Sequence, residues 1–78
     1  MDPAVLAKAI RAKMALGVIQ ETYEDRPMLL WGGTAAIYLC RACSRPFVGE
    51  MAVGYRSHWG DLHWFHVVCE EIRKTMDN

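Results

Sequence analysis

Apolar residues fall along this chain in two different rhythms, and the change between them divides it. From Ala4 to about Gln20, Val5, Ala9, Ala12, Leu16 and Ile19 recur at spacings of three and four, the period of one helix face. Leu6, Ile10 and Met14 widen that face, while Lys8 and Arg11 lie off it. Asp2 before Pro3 has the form of a helix start, because Asp accepts N–H bonds as an N-cap and proline is tolerated at the first helical position. A core-packing helix is predicted. A membrane-surface helix would need a more strongly basic polar face.

Glu21 to Pro27 is polar and ends in proline, so it is predicted as a loop. Met28 to Trp31, then Gly32-Gly33, then Thr34 to Leu39 has the form of a hairpin with a two-residue turn. Alternation there is poor, since Leu29, Leu30, Ala35, Ala36 and Ile37 are all apolar. Either both faces are covered or the stretch is partly helical. Met51 to Ser57 forms a further strand candidate, Trp59-Gly60-Asp61 a turn, and Leu62 to Phe65 leads into a closing helix. In that helix Phe65, Val68, Cys69, Ile72 and Met76 make an apolar stripe, with Glu70 and Glu71 early and Arg73 and Lys74 late, as the helix dipole favours. The expected fold class is α+β: an N-terminal helix, β-hairpins and a C-terminal helix. The expected organisation is one domain over 1–78, divided into a helix and loop (1–27) and a hairpin–helix unit (28–78).

Composition adds a constraint. At 53% apolar the chain is too rich in core material to stay disordered. Yet its 78 residues bury a smaller fraction of surface than a mid-sized domain does. A core of this size rarely supplies more than roughly 3–5 kcal/mol, so a disulfide, a metal or a second subunit is expected as a staple. Nine basic residues against nine acidic ones give zero net charge, which removes the overall basic field behind non-specific nucleic-acid affinity but leaves a local patch open. The uncharged stretch from Met28 to Cys40 is short of the roughly 18 residues that span a bilayer. Met1-Asp2-Pro3-Ala4 lacks the pattern of a signal peptide, so an intracellular protein without a membrane segment is expected. In that compartment clustered cysteines suggest metal rather than disulfides.

All three cysteines belong to one pattern: Cys40-x2-Cys43, then residues 44–65, then His66-x2-Cys69. Zinc takes four thiolate or imidazole ligands at tetrahedral corners. A C-x2-C turn presents two thiolates to one ion, and an i,i+3 pair on a first helical turn presents imidazole and thiolate on one side. An odd cysteine count suits this set once histidine supplies the fourth ligand. A redox pair at Cys40–Cys43 would leave Cys69 idle, and Cys69 also fits a plain core thiol. His58 and His63 compete for the fourth position, and the i,i+3 relation to Cys69 favours His66. One structural Zn2+ is the expected cofactor. Such a site has no vacant coordination place to activate water, and neither H-x-E, a Walker loop nor a dinucleotide fingerprint is present. Gly32-Gly33 is too short to cradle phosphate, and no small-molecule substrate is evident. The chain is therefore expected not to be an enzyme.

The order of knuckle, hairpin and helix-borne H-x2-C resembles the treble-clef class of zinc fingers. Within it, His63-Trp64-Phe65-His66-x2-Cys69 is similar to the aromatic run before the last two ligands of poly(ADP-ribose) polymerase-type fingers, and the pattern is similar to the first half of a LIM domain. Glu70 stands where the polymerase-type finger usually has an aromatic residue. The resemblance implies a treble-clef fold around the zinc.

Two functions follow as expectations. A neutral chain with three Trp and five Met suits a protein-interaction or assembly module, including a homodimer, unless Trp31, Trp59 and Trp64 simply fill the core. Alternatively, Arg41, Arg45 and Arg56, with Tyr55 and Trp59 for base stacking, suit a nucleic-acid-binding finger. Arg41 and Arg45 would equally offset the negative charge of a Cys3His zinc centre. Because the charge of the whole chain is zero, the interaction module is favoured.

Overall fold

The computed structural model describes residues 2–31 and 38–75. In chain order these form α1 (Pro3–Ala15), β1 (Met28–Leu30), β2 (Ala52–Arg56), β3 (Leu62–His66) and α2 (Val67–Thr75). The three strands make an antiparallel sheet in the order β1-β2-β3. The α+β class is as expected.

Helix α1 begins as its sequence dictates, with the Asp2 carboxylate accepting from the Ala4 N–H at 2.9 Å and Pro3 in the first turn. It ends earlier than the periodicity suggests. Leu16 caps it and Gly17 adopts φ +78°, a left-handed conformation that glycine takes without a Cβ penalty. The buried face is also rotated from the predicted stripe. Leu6 and Ile10 are buried and Met14 is partly so, whereas Val5 and Leu16 are exposed. A spacing of three and four fits either stripe, and the packing of α1 against α2 decides between them. Ile19 does reach the core, from the loop beyond the helix.

Strand β1 takes its register from β2, with Met28 opposite Gly54 and Leu30 opposite Ala52. The predicted Gly-Gly turn and most of its returning strand fall within 32–37, outside the described residues; Leu39 instead forms an isolated bridge to Pro46. The β2–β3 hairpin pairs Ala52 with His66 and Arg56 with Leu62, around a turn closed by the Ser57 N–H donating to Asp61 O at 2.8 Å. The Trp64 ring lies against Gly54 on the neighbouring strand, and a Cβ at that position would collide with the indole.

The predicted lead-in to the last helix is itself strand. β3 continues through His66, and α2 begins at the next residue with no loop between them. The predicted stripe on α2 is corrected as well. Cys69 is buried and Ile72 partly so, but Val68 is exposed, and the other buried residues of the helix are Glu70 and Arg73. Met76 lies outside the described residues. Glu70 and Arg73 form an ion pair. The guanidinium also lies 5.0 Å from the Tyr23 ring centre and 5.6 Å from that of Tyr55, and it donates to Glu21 O at 2.8 Å. Pairing and aromatic contact make burial of these charges tolerable where an apolar residue was expected.

One apolar cluster joins α1 (Leu6, Ile10), the sheet (Val53, Tyr55, Trp64, Phe65) and Phe47 to Cys40 and Cys69. Among the described residues no helix is long and apolar enough to cross a membrane.

Candidate metal centre

The C-x2-C segment folds as a tight knuckle. The Cys40 N–H donates to Arg45 O at 2.9 Å, and the Ser44 N–H donates to Cys40 O at 2.8 Å. Ser44 completes the turn with φ 62°, an uncommon conformation for a residue with a side chain. The Arg41 N–H donates to Trp64 O at 2.7 Å, which docks the knuckle on β3. That contact brings Cys40 and Cys43 beside the end of the same strand, where His66 stands. Cys69 follows in the first turn of α2. The H-x2-C pair was expected on one helical turn; it spans the junction of strand and helix instead. One donor atom from each of Cys40, Cys43, His66 and Cys69 lies within 4.8 Å of the others. Zinc–sulfur bonds of about 2.3 Å place tetrahedral sulfurs about 3.8 Å apart, so the cluster has the dimensions to close on one ion.

The His66 ring is oriented for this task. Its Nδ1 lies 3.3 Å from Cys43 Sγ, facing the sulfurs. Its Nε2 lies 3.2 Å from Glu50 Oε1 and 3.3 Å from Pro46 O, two acceptors that place the ring proton on Nε2 and leave the Nδ1 lone pair for a metal. Glu50 is in turn fixed by the Val48 N–H at 2.9 Å, and that bond holds its carboxyl below the ordinary glutamate range. The Phe47 ring sits 4.3 Å from the imidazole, centre to centre, and closes its far face.

The three thiols do not share one environment. The Cys40 thiol is held down to about 4, chiefly by a hydrogen bond from Cys69 and then by the backbone N–H groups of Cys43, His66 and Ala42. The His66 N–H contact measures 3.4 Å. Cys69 is pushed up, first by that same hydrogen bond to Cys40 and then by burial, and Cys43 is pushed up by burial. Without a cation the pocket therefore favours a thiolate at Cys40 and disfavours charge on Cys69 and Cys43, through the hydrogen bond to Cys40 and through burial. A dication removes that conflict. Three sulfurs and an imidazole nitrogen are the donor set zinc prefers, so the residues fit the ion.

The competing histidines are engaged elsewhere. His63 is fully buried, with Nδ1 2.6 Å from the Tyr23 hydroxyl and Nε2 3.4 Å from Asp61; the exposed His58 lies in the hairpin turn, its backbone N–H donating to Gln20 Oε1 at 2.7 Å. Of the arginines proposed for nucleic acid, Arg41 donates through Nε to Val18 O at 3.0 Å and lies 4.0 Å from Asp61. Arg45 and Arg56 are exposed and line separate pockets, the second beside Glu24 and Asp25. Tyr55 is buried, which removes it as a stacking platform, while Trp59 is 69% exposed. Glu50 was not singled out by any spacing rule, and it orients the His66 ring. A groove of about 390 Å³ opens beside it, lined by Leu6, Pro46, Val48 and Val68 together with Cys43 and His66.

No protein-family model matches this chain, and searches of curated proteins and of solved structures likewise return no match, so the likeness to zinc fingers rests on the ligand pattern and its geometry.

Proposed function

We propose that this chain is a treble-clef-like structural zinc module that acts, without catalysis, in protein interaction or assembly. The observation that carries the zinc assignment is the convergence of Cys40, Cys43, His66 and Cys69 on one point. With four protein donors around a tetrahedral ion, no coordination place remains for substrate or activated water, and the zinc serves as the staple that a chain of this length needs. Support for interaction comes from the surface. Leu39, Val48, Trp59 and Val68 are more than half exposed on a chain of zero net charge. Aromatic and apolar side chains at the surface, without a net basic field, favour protein over nucleic acid. The nucleic-acid alternative retains Arg45, Arg56 and Trp59.

Metal content of the purified protein tests the zinc assignment, alongside circular dichroism before and after chelation. One zinc per chain is expected, lost in Cys69→Ser together with helical signal. A wild type that carries no metal and keeps its fold in chelator would overturn it. Titration of fluorescent DNA and RNA then separates the functions: weak binding indifferent to R45A/R56A supports the interaction module, and salt-dependent binding abolished by that double variant supports the alternative.

A further inference from the structure

Lys13 stands in the last turn of α1, and its ammonium reaches into the knuckle. Its Nζ donates to the carbonyl oxygens of Arg41 and Ala42, 2.9 Å each, and to Ser44 Oγ at 3.0 Å. These two carbonyls belong to the peptide units whose nitrogens are those of Ala42 and Cys43. These peptides are trans, so their N–H groups face away from the ammonium. A peptide unit bound at its oxygen by a cation is polarised, and its N–H becomes a stronger donor. The ammonium thus ties the turn between Cys40 and Cys43 together through charge-assisted hydrogen bonds. Three thiolates and a neutral imidazole around a zinc dication also leave one net negative charge, which a cation so placed offsets.

We propose that Lys13 is a positioning residue for the metal centre, setting its zinc affinity by fixing the turn between Cys40 and Cys43 and offsetting the charge of their thiolates. This rests on the zinc assignment above and extends it to α1. The helix that carries Lys13 also buries Leu6 and Ile10 in the common core, so metal binding and the docking of α1 favour each other.

The full chain as wild type, K13M, K13R and I10A tests this through two readouts: zinc affinity by competition with a chromophoric chelator, and the thiolate-to-metal charge-transfer band of the cobalt(II)-loaded protein. K13M is expected to lose about tenfold or more in zinc affinity, the scale typical of residues supporting metal ligands, and to shift the band to lower energy because the thiolates lose the cation held in their turn. K13R is expected to restore most of both. I10A loosens α1 without touching the ammonium; it should lower stability and leave the band in place. If K13M does not fold with metal, K13Q, which keeps a donor and drops the charge, carries the same readouts. Wild-type affinity and an unmoved band in K13M (or in K13Q, where it stands in) would overturn the role of Lys13 while leaving the zinc assignment intact, and I10A moving the band as far as K13M would reduce Lys13 to a structural contact. A wild type that takes up no zinc would overturn both assignments.

Discussion

At the scale of single residues, the centre depends on more than its four donors. Glu50 fixes which His66 nitrogen carries the proton, and partners of this kind typically contribute about ten- to a hundredfold in metal affinity. Glu50→Ala is therefore expected to weaken zinc by about that factor in a chelator competition, and Glu50→Gln, which keeps an acceptor, by less. An E50A protein with affinity within about twofold of wild type would show that Pro46 O alone suffices to hold the ring. The four donors were legible in the sequence because metal chemistry restricts residue type and the chain restricts spacing. Glu50 was not, because its role depends on which way the His66 ring turns, and that is decided by folding of the knuckle beside β3. Tyr55 shows the converse. Its type suggested base stacking, and only its position on a strand buried on both faces revealed a core residue.

At the scale of elements, α2 departs furthest from its sequence pattern. A stripe at helical spacing predicted apolar contacts, yet this helix buries a carboxylate and a guanidinium among Tyr23, Tyr55 and Phe65. The same carboxylate, after burial itself, pushes the Tyr55 phenol up to about 12. Removing one member strands the other charge, and breaking a buried pair typically costs about 3–5 kcal/mol. Glu70→Ala is expected to destabilise the zinc-loaded protein on that scale in urea unfolding, whereas E70L/R73M, which removes both charges, recovers most of the loss. A single-variant cost below about 1 kcal/mol would mean the guanidinium finds enough compensation in the rings and Glu21 O. Elements with local signals were predicted well: the Asp2-Pro3 start, strand β2 and the turn after it. The end of α1 was placed too late although Gly17 was visible, because the apolar period continues through it and a glycine inside such a pattern is often tolerated. The partner of β1 was not legible, since three apolar residues without alternation carry no register of their own.

At the scale of the molecule, the metal centre draws its donors from three separate parts of the chain. The knuckle supplies two donors, β3 one and α2 one, while α1 reaches the knuckle through Lys13. A site assembled this way is folding energy as well as chemistry, because no single element of the chain presents the full donor set. The passage from His66 directly into Val67 adds something about the order in which the protein comes apart. Most helices fray from their ends and most connecting loops let neighbouring elements open separately, but here no loop stands between strand and helix, and two of the four ligands straddle the corner. In amide hydrogen exchange, the β3 and α2 protons are therefore expected to share one opening free energy in the zinc-loaded protein and to lose protection together on chelation. Earlier exchange of α2 alone would mark the corner as yielding. A shared opening would make strand, corner and helix a single foldon, with no partially open form in which His66 and Cys69 could be lost one at a time.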